Sequence, residues 1–254
     1  MEWLNVMRIE AIKTHKIDIS DSLAGVLDRY IKTVRDEDII IITSKIISII
    51  QGRLVSKEAI AKSLLVQQEA DLILETERNP YDLYLTIKEG ALIPSAGIDE
   101  SNVDGYYVLY PEDIQGTAAW IWKYLKKQHD IQRLGVVITD SHTTIMRRGV
   151  TGIALGWCGF EPLYSYINKP DLCGQPLRVT QVNILDSLAT SAVFVMGEGN
   201  EQTPLAIIKA APKISFLNRV PTLEEEQKVV IPMEEDLYFP LLRRANWIRN
   251  VKTK

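Results

Sequence analysis

The sequence predicts an α+β fold, with mixed and antiparallel sheets and few, irregular helices. Three observations lead there. Short strand-like stretches, apolar or alternating, recur along most of the 254 residues. The helical stretches between them are uneven and do not alternate one-for-one with strands, as regular βαβ winding requires. No internal repeat, low-complexity tract or long linker divides the chain. The length suits one large domain or two small ones with a real core.

Taken in order, Met7-Arg-Ile-Glu-Ala-Ile-Lys13 alternates apolar and polar residues and reads as a strand. Ser20 to Ile31 opens on capping residues and repeats apolar residues at helical spacing. Asp36 to Asp38 is a turn, and Ile39 to Thr43 a buried strand. Ser44 to Ile50 opens a helix or continues extended, and Gly52 stops it. Residues 57–74 read as one or two helices. Leu83 to Lys88 alternates again, Glu89-Gly90 supplies a turn, and Ala91 to Ile93 is the hairpin partner. Tyr106 to Tyr110 is a strand. Pro111 and the acids after it start a helix that runs to about Gln128. Gly135 to Thr139 is a strand with turn chemistry beyond it. Gly149 to Gly159 holds four glycines among apolar residues, a sign of close backbone approach. Arg178 to Ile184 is a strand, Asp186 to Met196 an apolar helix, and Leu205 to Ala210 the last strand. From Ala211 the composition changes, and capped helices begin near Thr222 and Met233. We therefore expect a body over 1–210 and a peripheral helical extension over 211–254.

Bulk properties narrow the function. Hydrophobic residues make up 46% and charged ones 24%, with a net charge of −4. No basic surplus is present to bind a nucleic-acid backbone. The two cysteines, Cys158 and Cys173, form no CxxC pair and read as buried free thiols in a reducing cytosol. Met1 to Asn5 lacks signal-peptide character, and no apolar run approaches the roughly 20 residues of a membrane span. The expectation is a soluble, cytoplasmic protein.

Asp99 and Asp140 are the leading site candidates. Each ends an apolar run and precedes small polar side chains, where a hard divalent cation finds carboxylate oxygen. For Asp99, with Asn102 nearby, the alternative is an Asx-turn. For Asp140 with Ser141, it is a helix N-cap. His142 is either a general base or a hydrogen-bonded surface histidine. Arg147 and Arg148 would point to opposite faces of a strand, so that one could grip phosphate or carboxylate. The run Met196, Gly197, Glu198, Gly199, Asn200 to Thr203 allows a tight turn that brings backbone N–H groups to a ligand. It lacks the Walker pattern. Ser44 and Lys45 follow a buried strand and either touch phosphate or leave a solvated lysine.

Nine segments carry a resemblance together: Thr43-Ser-Lys45, Gln51-Gly-Arg53, Ser95 to Asn102, Leu109-Tyr-Pro-Glu-Asp113, Ile138-Thr-Asp-Ser141, Arg147-Arg-Gly149, Asp171-Leu-Cys-Gly174, Leu177-Arg-Val-Thr180 and Val195-Met-Gly-Glu-Gly199. In this order they resemble the coenzyme F-420:L-glutamate ligases, the F-420-0 γ-glutamyl ligases, over about residues 7–210. The resemblance implies two intertwined α+β parts and a homodimer. It implies Mg²⁺ or Mn²⁺, and GTP (or ATP) as co-substrate, used to join glutamate to a carboxylate through an acyl phosphate. It puts metal ligands at Asp99, Asp140 and Ser141. Nucleotide contacts fall at Ser44, Lys45, Asn102, Met196, Gly197, Glu198, Gly199, Asn200 and Thr203. Arg147, Arg148 and His142 are the candidates for chemistry. The chain departs from the family pattern at Ala11 to Lys16, at Ile49 and Gln51, and at Thr143 to Met146, which suggests a sub-branch with its own substrate. A folate-type γ-glutamyl ligase, a non-catalytic binding protein on the same fold and a metal-dependent phosphate-ester hydrolase are the competing readings.

Overall fold

The computed structural model describes residues 6–75, 81 and 83–249. Residues 1–5, read above for leader character, lie outside them. The elements in chain order are β1 (Arg8–Ile12), α1 (Leu23–Tyr30), β2 (Asp38–Thr43), α2 (Ser44–Ile50), β3 (Leu54–Ser56), α3 (Lys62–Glu69), β4 (Leu72–Leu74), β5 (Leu85–Lys88), β6 (Ala91–Pro94) and β7 (Tyr106–Val108). There follow α4 (Ile114–His129), β8 (Leu134–Thr143), β9 (Val150–Cys158), β10 (Leu163–Ser165), β11 (Gln181–Asn183), α5 (Ile184–Met196), β12 (Leu205–Lys209), α6 (Leu223–Gln227), α7 (Phe239–Leu242) and β13 (Trp247–Arg249). The fold is α+β with mixed and antiparallel open sheets, as the sequence predicts.

The isoleucine run of β2 explains the architecture. A strand apolar at every position must be covered on both faces. Ile40 and Ile42 pack with Leu27 of α1, Ile47 of α2 and Ile121 and Leu125 of α4. Ile39 and Ile41 pack on the other face with Leu188, Ala189 and Ala192 of α5. The sheet runs β1-β12-β2-β8-β9; β2 and β8 are parallel, and the other pairs are antiparallel. A second sheet, β13-β4-β5-β6, and the ribbons β3-β7 and β10-β11 flank it. Gly152 shows why β9 is glycine-rich: a Cβ there would lie 2.5 Å from the Ala189 carbonyl oxygen of α5. The close approach lets the Thr190 hydroxyl donate to the Gly152 carbonyl at 2.8 Å. No helix among the described residues is long and apolar enough to cross a membrane.

Several boundaries differ from the expectation, each for a local reason. The strand expected over 178–184 is confined to β11. Asn183 accepts a hydrogen bond from the Asp186 amide and turns Ile184 into the first residue of α5. Residues 57–74 hold one helix, α3, and then strand β4. β8 does not end at Thr139. Asp140, Ser141 and His142 continue it, opposite Ile153, Gly152 and Thr151 of β9, past an irregularity between Ile138 and Thr139. Asp140 is therefore a strand residue and not a helix N-cap. Arg147 and Arg148 lie in the exposed β8–β9 turn, not in a strand. Cys158 is buried as expected, but Cys173 sits in a turn and is exposed. The 211–254 stretch is not helical throughout. α6 has a full capping box between Thr222 and Glu225, but β13 pairs with β4 through Trp247–Leu74 and Arg249–Leu72. The aromatic and β-branched residues of β13 find an edge strand open to receive them.

Candidate functional site

Where the pairing of two parallel strands ends, the residues beyond it lie at one edge of the shared ladder, where α/β proteins bind ligands. Here Thr43 of β2 lies opposite Thr139 of β8. The chain beyond each, Lys45 and Asp140, faces a cavity of about 850 Å³. β12 runs antiparallel to β2 and starts at this same edge, Leu205 beside Ile42. The loop before it, Met196 to Pro204, therefore forms a second wall. The third wall comes from the small sheet. The β5–β6 hairpin leads into a tight turn, Ser95–Gly97, and then into Asp99, which exchanges backbone hydrogen bonds with Val108 at 3.0 and 2.8 Å.

Asp99, Asp140, Ser141, Asn102, Lys45, His142 and the whole 196–203 loop line this one cavity. Ser44 is buried in the first turn of α2 and does not line it. Arg147 and Arg148 do not line it either, because the β8–β9 turn carries them away from the sheet edge.

The two aspartates sit in opposite electrostatic settings. Burial drives the Asp140 carboxyl up to about 7, while the nearby Ser141 amide and Tyr110 hydroxyl pull the other way. Burial also opposes the charge on Asp99, yet Lys45 overcomes it and holds that carboxyl below the usual range. The Lys45 ammonium stands 2.5 Å from one Asp99 oxygen and donates to the Ser101 hydroxyl at 2.7 Å. The Ser101 amide donates to the other Asp99 oxygen at 2.7 Å. This is the Asx-turn expected as an alternative, and it coexists with a carboxylate facing the cavity. Partial desolvation raises the Glu198 carboxyl, Asp99 adds to that, and Lys45 and the Ser141 hydroxyl oppose it.

Two links close the walls on each other. The Asn102 side-chain amide donates to the Gly199 carbonyl at 3.2 Å, and the Thr14 amide donates to the Gln202 carbonyl at 2.9 Å. The Glu201 carboxylate accepts the Gly199 N–H at 2.8 Å. The carbonyl of Thr143, 2.7 Å from His142 Nδ1, can only accept. A neutral His142 ring is therefore protonated at Nδ1 and keeps its lone pair on Nε2.

The donors of the cavity are those a divalent cation takes. Asp99, Asp140, Glu198 and Ser141 offer hard oxygens, the ligand type Mg²⁺ and Mn²⁺ take. Among the described residues no three acidic, histidine or cysteine side chains enclose a cation by themselves. The donor set suits a cation that keeps water or substrate oxygens in its shell, as Mg²⁺ does.

Sequence reasoning missed Tyr110, the closeness of Glu198 to Ser141, and Thr139. The Thr139 hydroxyl is fully buried beside Asp140 and without a partner among the described residues. Only the neighbourhood of the quoted motifs signalled these residues.

Known proteins place this cavity in a lineage. The sequence model described as F420-0:Gamma-glutamyl ligase matches residues 11–210. The chain belongs to that family. A relative from Methanosarcina mazei, named coenzyme F420:L-glutamate ligase, is 31% identical over 80% of this chain and 86% of its own. Proteins of the same name from Methanothermobacter thermautotrophicus and Methanocaldococcus jannaschii are 30% and 29% identical, covering 77% and 81% of this chain and 83% and 86% of their own. The family match spans every wall of the cavity and stops before α6. Within it, the departure at Gln51 falls outside the cavity. Its amide side chain accepts from the Glu112 N–H at 2.8 Å and donates to the Glu112 carbonyl at 3.2 Å, bracing the chain after Tyr110. The departure at Ile49 does line the cavity.

Proposed function

We propose that this protein is a γ-glutamyl ligase that uses a nucleoside triphosphate and a divalent cation to join glutamate to a cofactor-like carboxylate. The acceptor of this reading is the F-420-0 precursor, the nucleotide is GTP or ATP, and the working form is a cytoplasmic homodimer. The observation that carries the reading is the convergence of Asp99, Asp140 and Glu198 on one cavity with Lys45 and the glycine loop.

Amide formation from a carboxylate needs an activated acyl group. The acceptor carboxylate oxygen attacks the γ-phosphorus, the bond to the β-phosphate oxygen breaks, and an acyl phosphate and nucleoside diphosphate result. The glutamate amine then attacks the acyl carbon, and phosphate leaves. Asp99, Asp140, Glu198 and Ser141 would hold the cation, which supplies neutralisation of phosphate charge. Lys45 and the backbone of the 196–203 loop orient the triphosphate. His142 Nε2 is placed to take the proton released by the amine. The walls fix the reactants together, which is most of what such a transfer asks of a protein. Of the two departures at Ile49 and Gln51, only Ile49 alters the lining of the cavity, since Gln51 lies outside it.

The test is ligation itself, read by product mass and phosphate release with F-420-0, L-glutamate, GTP or ATP, and Mg²⁺ or Mn²⁺. The expected result is one glutamyl addition per phosphate, requiring every component. Phosphate release without acceptor or glutamate indicates a hydrolase instead. A product formed only with a folate acceptor moves the substrate, and no turnover with any acceptor overturns the enzyme reading.

A further inference from the structure

His15 has no part in the steps above, although it lines the same cavity. It falls in the stretch Ala11 to Lys16, where the chain departs from the family pattern. Its polar groups are all occupied by the protein. The ring Nε2 stands 3.0 Å from both Asp21 carboxylate oxygens, and Nδ1 stands 2.6 Å from the Tyr30 hydroxyl. A neutral ring therefore donates from Nε2 to Asp21 and accepts the Tyr30 proton at Nδ1. The His15 N–H donates to the same hydroxyl at 2.8 Å, and the His15 carbonyl accepts from the Thr14 hydroxyl at 2.7 Å. Asp21 is fixed in turn, accepting the Asp18 N–H at 3.0 Å.

A histidine held in this way offers a ligand its ring carbons and its face, and no free nitrogen. Its side chain is 34% exposed, so that face is open to a ligand. The Tyr30 ring lies 25° from parallel with centroids 5.7 Å apart, so a further planar ring laid on His15 extends an aromatic stack. The placement says which ring. The glycine loop touches the Asp99 wall at one end, where the Asn102 amide donates to the Gly199 carbonyl. It touches the His15 wall at the other, where the Thr14 N–H donates to the Gln202 carbonyl. With a triphosphate at Lys45 and the carboxylates, the base of the nucleotide lies along that loop, towards His15.

We propose that His15 is the stacking platform for the purine base of the nucleotide, gripping the base by its face and leaving the choice between guanine and adenine to other residues. This rests on the nucleotide-dependent reading of the cavity. Stacking tolerates any base because every base has a π-face. It predicts that His15 matters to nucleotide affinity through its ring plane, and not through its nitrogens.

Calorimetric titration of the whole protein with GTP, ATP and inorganic tripolyphosphate, each with Mg²⁺, tests it on wild type, His15→Ala and His15→Phe. Tripolyphosphate carries the phosphates without the base. His15→Ala removes the ring. It is expected to raise the dissociation constant of every nucleotide that wild type binds by one common factor, about tenfold, in keeping with a base stacked on one aromatic side chain. Its tripolyphosphate binding is expected to stay as in wild type, which also shows that the variant is folded. His15→Phe keeps a planar ring without the nitrogens and is expected to keep most of the nucleotide affinity. Unaltered nucleotide binding in His15→Ala overturns the platform while leaving the nucleotide site standing. So does a His15→Phe protein as weak as His15→Ala, or a wild type that binds tripolyphosphate as tightly as its nucleotide. A His15→Ala protein that loses tripolyphosphate equally shows a bracing role, and also overturns it. A wild type that binds neither nucleotide nor tripolyphosphate removes the nucleotide reading and this proposal together.

Discussion

Asp140 and Asp99 occupy opposite walls of the cavity and are held by different physics. Asp140 belongs to β8, half-buried on the cavity wall, with burial pushing its carboxyl to about 7. Asp99 belongs to an arm whose entry turns through three successive positive φ angles, 49° at Ser95, 55° at Ala96 and 71° at Gly97. Its carboxylate stays ionised because Lys45 lies 2.5 Å away. One wall is rigid and short of positive charge. The other is conformationally strained and has borrowed an ammonium. In the proposed reading, a divalent cation between them would relieve the first and release Lys45 from the second.

The comparison can be broken at either wall, and the largest effect belongs to the rigid one. Asp140→Asn is expected to lower the ligation rate roughly a thousandfold, about 4 kcal/mol, by removing a cation ligand. Rate measurements at saturating cation check it. On the strained wall, Gly97→Ala combines a left-handed φ with a clash against Tyr110. It is expected to cost about 3 kcal/mol in denaturant unfolding.

The pH dependence follows from the directions of the two aspartates. A raised acid is favoured as its protonated form in the folded state. The Asp140 contribution to stability is therefore full below pH 3.8 and is lost as pH rises towards about 7. Asp99, lowered, contributes above its ordinary value of 3.8 and loses its contribution below it. Without divalent cation, wild type should gain melting temperature relative to Asp140→Asn on going from about pH 7.5 to about pH 5. A wild-type curve parallel to that of the variant contradicts the assignment. The smallest effect is expected at the β8–β9 turn. Arg147→Ala and Arg148→Ala should each change unfolding free energy by no more than about 0.5 kcal/mol, since both side chains are exposed.

The core was legible because its signals are local. A run of four β-branched isoleucines reads as a strand covered on both faces, and β2 is that strand. The glycines of β9 announced close packing, and Gly152 against α5 supplies it. The candidate cavity was legible as a set of residues, since Asp99, Asp140 and the 196–203 loop each carry their own turn chemistry. What the sequence hid depends on pairing between distant segments. How far β8 continues past Thr139 is decided by its register with β9. That same hairpin carries Arg147 and Arg148 out to its tip, where strand alternation no longer applies. β13 joins β4 from the far end of the chain, although composition alone suggested helices there. The packing of the Tyr110 ring on Gly97 needs the β7 ribbon and the turn before Asp99 both in place.

The most direct test is a thermal-shift titration with GTP and with ATP, each with and without Mg²⁺ or Mn²⁺, on wild type and Asp140→Asn. A ligand that binds only the folded state stabilises it by roughly 2.7 kcal/mol at a hundred times its dissociation constant. The account predicts that one nucleotide raises the wild-type melting temperature only when the cation is present, and that Asp140→Asn loses this response. No response in wild type, or an equal one in Asp140→Asn, would contradict it.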